Sequence, residues 1–224
     1  FLRFAMGLPL AVPMLWPLRR ARPTRRQAGL LGLRGLVHAG GVVCWFFAMT
    51  RLPLAEVTAM NYLNPVFVTL MAALLLGEPW EGRRLLAVAA AFAGALVILR
   101  PGLRAVEWGH LAMVGASLGL GSGYLIAKRL SAGLSPTAVV GALSVTVPVA
   151  LLPFALAAWA PVGPRALGWF ALTAAFATAA HYAMTRAFAA APLGATQPAA
   201  FLQLVWSVLL GAAAFGEAVD PFVI

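Results

Sequence analysis

In a chain of 224 residues, 62% hydrophobic and only 10% charged, a soluble domain is excluded, because such domains ordinarily carry roughly 25% charged residues. The apolar runs are far longer than the ~10 residues of a barrel strand, so the chain reads as an α-helical bundle that pairs its own backbone in lipid. The formal charge of +10 includes a basic run, RRARPTRR at Arg19 to Arg26, that reads as a cytoplasmic loop of a membrane protein and not as a nucleic-acid surface.

Taken in order, Leu2 to Leu18 forms a partial first span in which Pro9 and Pro13 are tolerated because neighbouring helices re-satisfy freed carbonyls. The Arg19 to Gln27 loop leads to a second span at Leu30 to Met49, a third at Leu54 to Leu76 and a short fourth at Leu85 to Leu99. After a linker at Leu103 to Gly109, where Glu107-Trp108 has the look of an interfacial anchor, come His110 to Ala127, Thr137 to Trp159, Leu167 to Ala187 and Leu193 to Phe215. The chain opens inside an apolar run at Phe1 and stops a few residues into another, as expected of a piece of a longer protein. No signal peptide is visible, and the single cysteine, Cys44, precludes an internal disulfide.

Alternate loops differ in basic charge. Arg19, Arg20, Arg22, Arg25, Arg26, Arg34, Arg83, Arg84, Lys128, Arg129 and Arg186 fall on one side; Arg3, Arg51, Arg100, Arg104 and Arg165 fall on the other. The richer side is expected to be cytoplasmic. Trp16, Trp80, Trp108, Trp159 and Trp169 lie near span ends, as belt residues do, whereas Trp45 and Trp206 do not.

Two stretches share one plan. Thr50 to Trp80 and Thr185 to Asp220 each run from a short Pro-Leu turn through an apolar helix with a central amide to a closing Gly-Glu. Aligning Gly77-Glu78 with Gly216-Glu217 sets Pro53 on Pro192, Leu54 on Leu193 and Asn64 on Gln203. The span count puts the two Gly-Glu pairs on opposite sides, and inverted repeats of this kind mark many secondary transporters.

These tandem copies, ending LLLGEPW and AAFGEAV, resemble the EamA-like branch of the drug/metabolite transporter superfamily. The resemblance implies an all-α polytopic fold of ten helices in two inverted five-helix repeats, about eight to nine of them present here. Residues 1–102 would be the first repeat without its first helix, 103–109 the linker, and 110–224 the second repeat with its last helix truncated. It implies a bacterial inner-membrane carrier for small metabolites, amino acids or drugs, often outward. Partners would be the lipid bilayer and a small-molecule solute, with no nucleic acid, and the protein a monomer or homodimer.

Polar side chains inside a span are costly and face the bundle or a cavity. Steps of about 100° per residue set Glu56, Met60, Asn61 and Asn64 within an arc of roughly 140° on the third span, and Pro65 is expected to kink it beside Asn64. In the eighth span Thr196, Gln203 and Ser207 share a face, with Pro198 below. Asn64 and Gln203 would meet across a central site. Trp45 offers a flat apolar surface with one donor, while His38 falls too near the cytoplasmic end to be included. Thr178, His181 and Thr185 form a stripe beside Tyr182, with His181 read first as a hydrogen-bonded structural histidine and second as a proton relay.

The fifth span sets Ser117, Gly121, Tyr124 and Lys128 on one stripe, expected to be wet, and Gly115, Gly119 and Gly123 on the other, expected to pack. Lys128 is expected to snorkel to headgroups. GASLG around Ser117 matches Gly-x-Ser-x-Gly, whose mechanics need a strand-to-helix elbow that a helix does not offer. An intramembrane serine hydrolase using Ser117 and His181 is still the rival reading from another class, with a non-transporting scaffold the third. Dispersed histidines and the lack of a phosphate-binding loop point to no metal and no nucleotide cofactor. The candidate solute site is Trp45, Asn61, Asn64, Tyr124, His181 and Gln203, with Glu56 as the acidic residue available for proton coupling.

Overall fold

A computed structural model describes residues 1–52, 54–79, 82–99 and 107–202, together with positions 205, 206, 209 and 213. Among the described residues the regular structure is helical, with no strand. Gln203, Ser207, Gly216 and Glu217 lie outside the described residues, as does most of the expected linker; nothing of the side chain of Glu56 is described.

The first expected span is three short helices, α1 (Leu2–Met6), α2 (Leu8–Met14) and α3 (Trp16–Ala21). Pro9, Pro13 and Pro17 recur every fourth residue, so successive rungs of one hydrogen-bond row are missing and the chain breaks at Gly7 and Leu15. The second span starts earlier than its hydropathy suggests. Helix α4 (Arg25–Met49) begins inside the expected loop, because Thr24 and Gln27 form a reciprocal capping box.

The third expected span divides into α5 (Leu54–Asn61) and α6 (Leu63–Leu76), with the break at Tyr62. Pro65 lacks the N–H that would bond the Asn61 carbonyl, which is the physical reason for a break one turn upstream. Gly77 ends α6 in the left-handed conformation, φ 68°, where glycine carries no Cβ penalty. Helices α7 (Gly82–Leu99), α8 (Trp108–Leu130), α9 (Pro136–Ala157) and α10 (Pro164–Ala190) follow. The eighth expected span opens as one turn, α11 (Leu193–Thr196), and tightens into a 3₁₀ turn at Gln197–Phe201 that contains Pro198.

Helix α4 is the centre of the bundle, packed along α8 and then α9; α6 covers α8, α2 and α10 cover α9, and α11 sits on α6. Among the described residues α4, α8 and α9 are each long and apolar enough to cross a membrane. Large apolar side chains stay exposed on the outer faces, including Leu74, Leu111, Leu118, Phe154 and Phe176, where lipid replaces water.

The α4–α8 contact depends on small residues. A Cβ on Gly119 would stand 2.7 Å from the Val37 carbonyl oxygen and 3.0 Å from the Gly41 Cα, so the two backbones touch. Most of the other stripe of α8 packs against protein, contrary to the expectation from sequence, and Tyr124 is its one member that lines a cavity. Ser117 is buried, and Gly121 lies under Phe67 and Val68 of α6. A glycine there admits a second helix as readily as the first face does, so α8 is sandwiched.

Arg34 is not a loop charge. It is 2% exposed in the middle of the bundle, where Nε donates to the Gly123 carbonyl at 3.2 Å and a terminal nitrogen donates to the Val139 carbonyl at 2.8 Å. Its fork thereby joins α4 to α8 and α9. Arg3, counted on the other side, likewise lies against mid-helix residues of α9 and α10, and removing both it and Arg34 from the charge count leaves the same side richer in basic residues.

Candidate solute-binding cavity

A cavity of about 790 Å³ opens where α4, the α5–α6 break, α8, α10 and the α11 turn converge. That is within the range of about 300–1,000 Å³ usual for small-molecule sites. Trp45, Asn61, Asn64, Tyr124 and His181 all line it, so five of the six candidate residues read from the sequence share one space. The sixth, Gln203, lies outside the described residues. Met60, placed on the same arc as Asn61 and Asn64, packs instead in a core cluster with Ala48, Leu52 and Val57. Met60 and Asn61 both precede the break at Tyr62, and as neighbours about 100° apart on α5 they divide between core and cavity.

Several lining groups are poised for a hydrogen-bonding guest. The Asn64 Oδ1, the Trp45 Nε1 and the His181 Nδ1 are buried and have no hydrogen-bond partner, a state that costs about 1–3 kcal/mol per group unless a ligand or water pairs it. His181 is therefore not a hydrogen-bonded structural histidine at Nδ1. Thr178 and Thr185 form no relay with it, because each hydroxyl donates to a carbonyl of its own helix, that of Ala174 at 2.8 Å and that of His181 at 2.7 Å.

His38 also lines the cavity, and its ring centroid stands 5.4 Å from that of His181 at an interplanar angle of 70°. Sequence reasoning excluded it as too near the cytoplasmic end; the early start of α4 at Arg25 puts it mid-helix instead. Thr196, read from the sequence as sharing a face with Gln203, lines the cavity, and Arg3 and Gln197 are further lining residues missed from the sequence. The signal for Gln197 was an amide directly before Pro198 in an apolar run.

The α10–α11 joint that carries Thr196 and Gln197 is held from both sides. Glu78, turned out of α6 by the left-handed Gly77, accepts from the Leu193 N–H at 2.6 Å and the Gly194 N–H at 2.9 Å. A carboxylate on free amides at a helix start is stabilising on both hydrogen-bond and dipole grounds. Lys128 does the converse job. Its Nζ donates to the carbonyls of Phe188 and Ala191, both at 2.6 Å, so it closes the end of α10 and does not snorkel to headgroups. Arg129 donates to the Leu75 carbonyl at 2.8 Å at the end of α6. The Gly-Glu pair, read from sequence as a repeat marker, thus has a mechanical role.

Residues 1–100 match the EamA-like transporter family. The chain is 34% identical over 186 residues to a riboflavin transporter of Rhizobium johnstonii, across 83% of this chain and 62% of that protein's length. A riboflavin transporter of Brucella anthropi is 29% identical over 97% of this chain and 79% of its own. The pseudopaline exporter CntI of Pseudomonas aeruginosa is 32% identical over 45% of this chain and 35% of its own. A solved crystal structure shares the fold with a TM-score of 0.72 at 23% identity, covering 99% of this chain and 79% of that one. This chain therefore spans somewhat under two thirds of the Rhizobium protein and 79% each of the Brucella protein and the solved chain. On these grounds residues 1–100 belong to the EamA-like transporter family, and the two riboflavin-transporter relatives extend the likeness over most of the chain.

Proposed function

We propose that this chain forms the greater part of a membrane carrier for small metabolites, working by secondary or facilitative transport, and that its solute is flat and hydrogen-bonding, of the riboflavin kind. The observation that carries this reading is the cavity of about 790 Å³ whose wall combines Trp45 and Tyr124 with the unpaired Asn64 Oδ1 and Trp45 Nε1. Aromatic faces suit a planar ring system, and buried unpaired polar atoms reject a guest that cannot bond them. The names of the Rhizobium and Brucella relatives support the same solute class.

Alternating access is part of the proposal. The halves at 1–102 and 110–224 would rock about the cavity as inverted repeats, with positions 78 and 217 facing opposite compartments. Cysteine-accessibility labelling tests that arrangement directly, and labelling of both positions from one side would overturn it. Outward transport is the direction we assign, in keeping with the exporter among the relatives, and the compartment is the bacterial inner membrane.

Proteoliposomes loaded with radiolabelled riboflavin provide the test of function. Counterflow above that of empty vesicles, reduced in Asn64→Ala and Trp45→Ala, is expected; counterflow equal to that of empty vesicles would overturn the solute assignment. The rival hydrolase reading has less support. Ser117 lies mid-helix, does not line the cavity, and its Oγ has no hydrogen-bond partner, so it is not paired with His181. Fluorophosphonate labelling lost in Ser117→Ala would revive it.

A further inference from the structure

The cavity is not electrically neutral along its length. Arg3 lines it beside His38 and His181; the Phe4 ring lies 4.2 Å from the Arg3 guanidinium carbon and 6.3 Å from the His38 ring, which in turn meets His181. Arg3 and His181 also line a small adjoining cleft with Ser144 and Thr178.

Two other cations among the described residues that turn into the bundle are already occupied. Arg34 donates to two carbonyls and Lys128 to two more. Arg3 donates to no described residue, and its recorded contact is the stacking on Phe4. Of the acidic side chains that are described, Glu78 is engaged at the start of α11 and Glu107 is exposed at the start of α8. A guanidinium within the membrane-spanning bundle is costly without an anionic or carbonyl partner. Its planar fork matches a carboxylate or a phosphate. His38 and the unpartnered His181 Nδ1 add ring nitrogens within the same pocket, each imidazole having one N–H to donate when neutral.

We propose that the Arg3–His38–His181 end of the cavity docks an anionic group of the carried solute, a carboxylate or a phosphate, while Trp45, Tyr124 and Asn64 hold its ring system. This rests on the cavity being the solute site. Arg3 is the specificity-determining cation, and the preferred solutes are flat organic anions.

Two probe pairs separate this idea from the flavin reading. Equilibrium binding to the reconstituted protein is measured for riboflavin against riboflavin 5′-phosphate, and for indole-3-ethanol against indole-3-acetate. The anionic member of each pair that binds is expected to be favoured by about tenfold or more, with the ratio falling towards one in Arg3→Gln and kept in Arg3→Lys. If neither flavin binds but the indole pair behaves this way, the flavin assignment fails and the anion site stands. If no bound pair favours its anion, or the ratio is the same in wild type and Arg3→Gln, or it falls equally in the lysine and glutamine variants, the proposal is overturned. Should Arg3→Gln fail to elute as wild type on gel filtration, His181→Gln is judged by the same ratio, and an unchanged ratio there counts against the site.

Discussion

Replacing Glu78 with alanine removes both acceptors from the start of α11 at once. Leu193 and Gly194 are buried, and their N–H groups lie 2.6 and 2.9 Å from the two carboxylate oxygens, so neither amide has another acceptor in place. Leaving a buried donor unpaired costs about 1–3 kcal/mol, which puts the variant about 2–5 kcal/mol below wild type. For a chain of this size each kcal/mol moves the midpoint by about 2–4 °C, so a fall of roughly 4–20 °C is expected. Glu78→Gln keeps one oxygen in position and should lose about half as much. The assay is thermal unfolding in detergent, followed by intrinsic tryptophan fluorescence. Because α11 delivers Thr196 and Gln197 to the cavity, the alanine variant should also raise the KM for transported solute. A midpoint for Glu78→Ala within about 1 °C of wild type would refute the reasoning, since it would mean that water or a shifted backbone satisfies those amides at no cost.

Other consequences follow from the same structure. Lys128→Met keeps the aliphatic stem but strands the Phe188 and Ala191 carbonyls, so a loss of about 2–4 kcal/mol in the same unfolding assay is expected. Gly119→Ala pushes a methyl against the Val37 carbonyl, whereas a Cβ at Gly29 meets nothing within 4 Å; the first should cost about 1–3 kcal/mol and the second stabilise by up to about 1 kcal/mol, measured side by side. Asn64→Ala should raise KM about tenfold with little change in melting midpoint, because its Oδ1 has no partner in the solute-free protein to lose. Arg34→Leu strands the Gly123 and Val139 carbonyls inside the bundle but also removes a buried charge, so it should destabilise by less than Lys128→Met, at about 1–2 kcal/mol.

The amino-acid sequence by itself determined that this is a helical membrane protein and where its apolar spans lie, because bilayer thickness and backbone pairing leave few other solutions for runs this long and apolar. It also singled out Trp45, Asn61, Asn64, Tyr124 and His181, since polar and amphipathic groups within such runs are rare enough to stand out. Tertiary structure alone decided which of them share a space, and what the remaining charges do. Arg34 and Lys128 look like loop or headgroup residues until carbonyls distant in sequence, on α8, α9 and the end of α10, are seen to accept their hydrogen bonds. His38 moved from the edge of a span to its centre because one local capping box at Thr24 lengthened α4. Much of the wet face expected of α8 became a second packing face because Phe67 fills the room that Gly121 leaves, and Tyr124 of that face lines the cavity. Hydropathy reports what a side chain avoids, whereas the partner it meets is set by long-range packing, which no periodicity along one helix records.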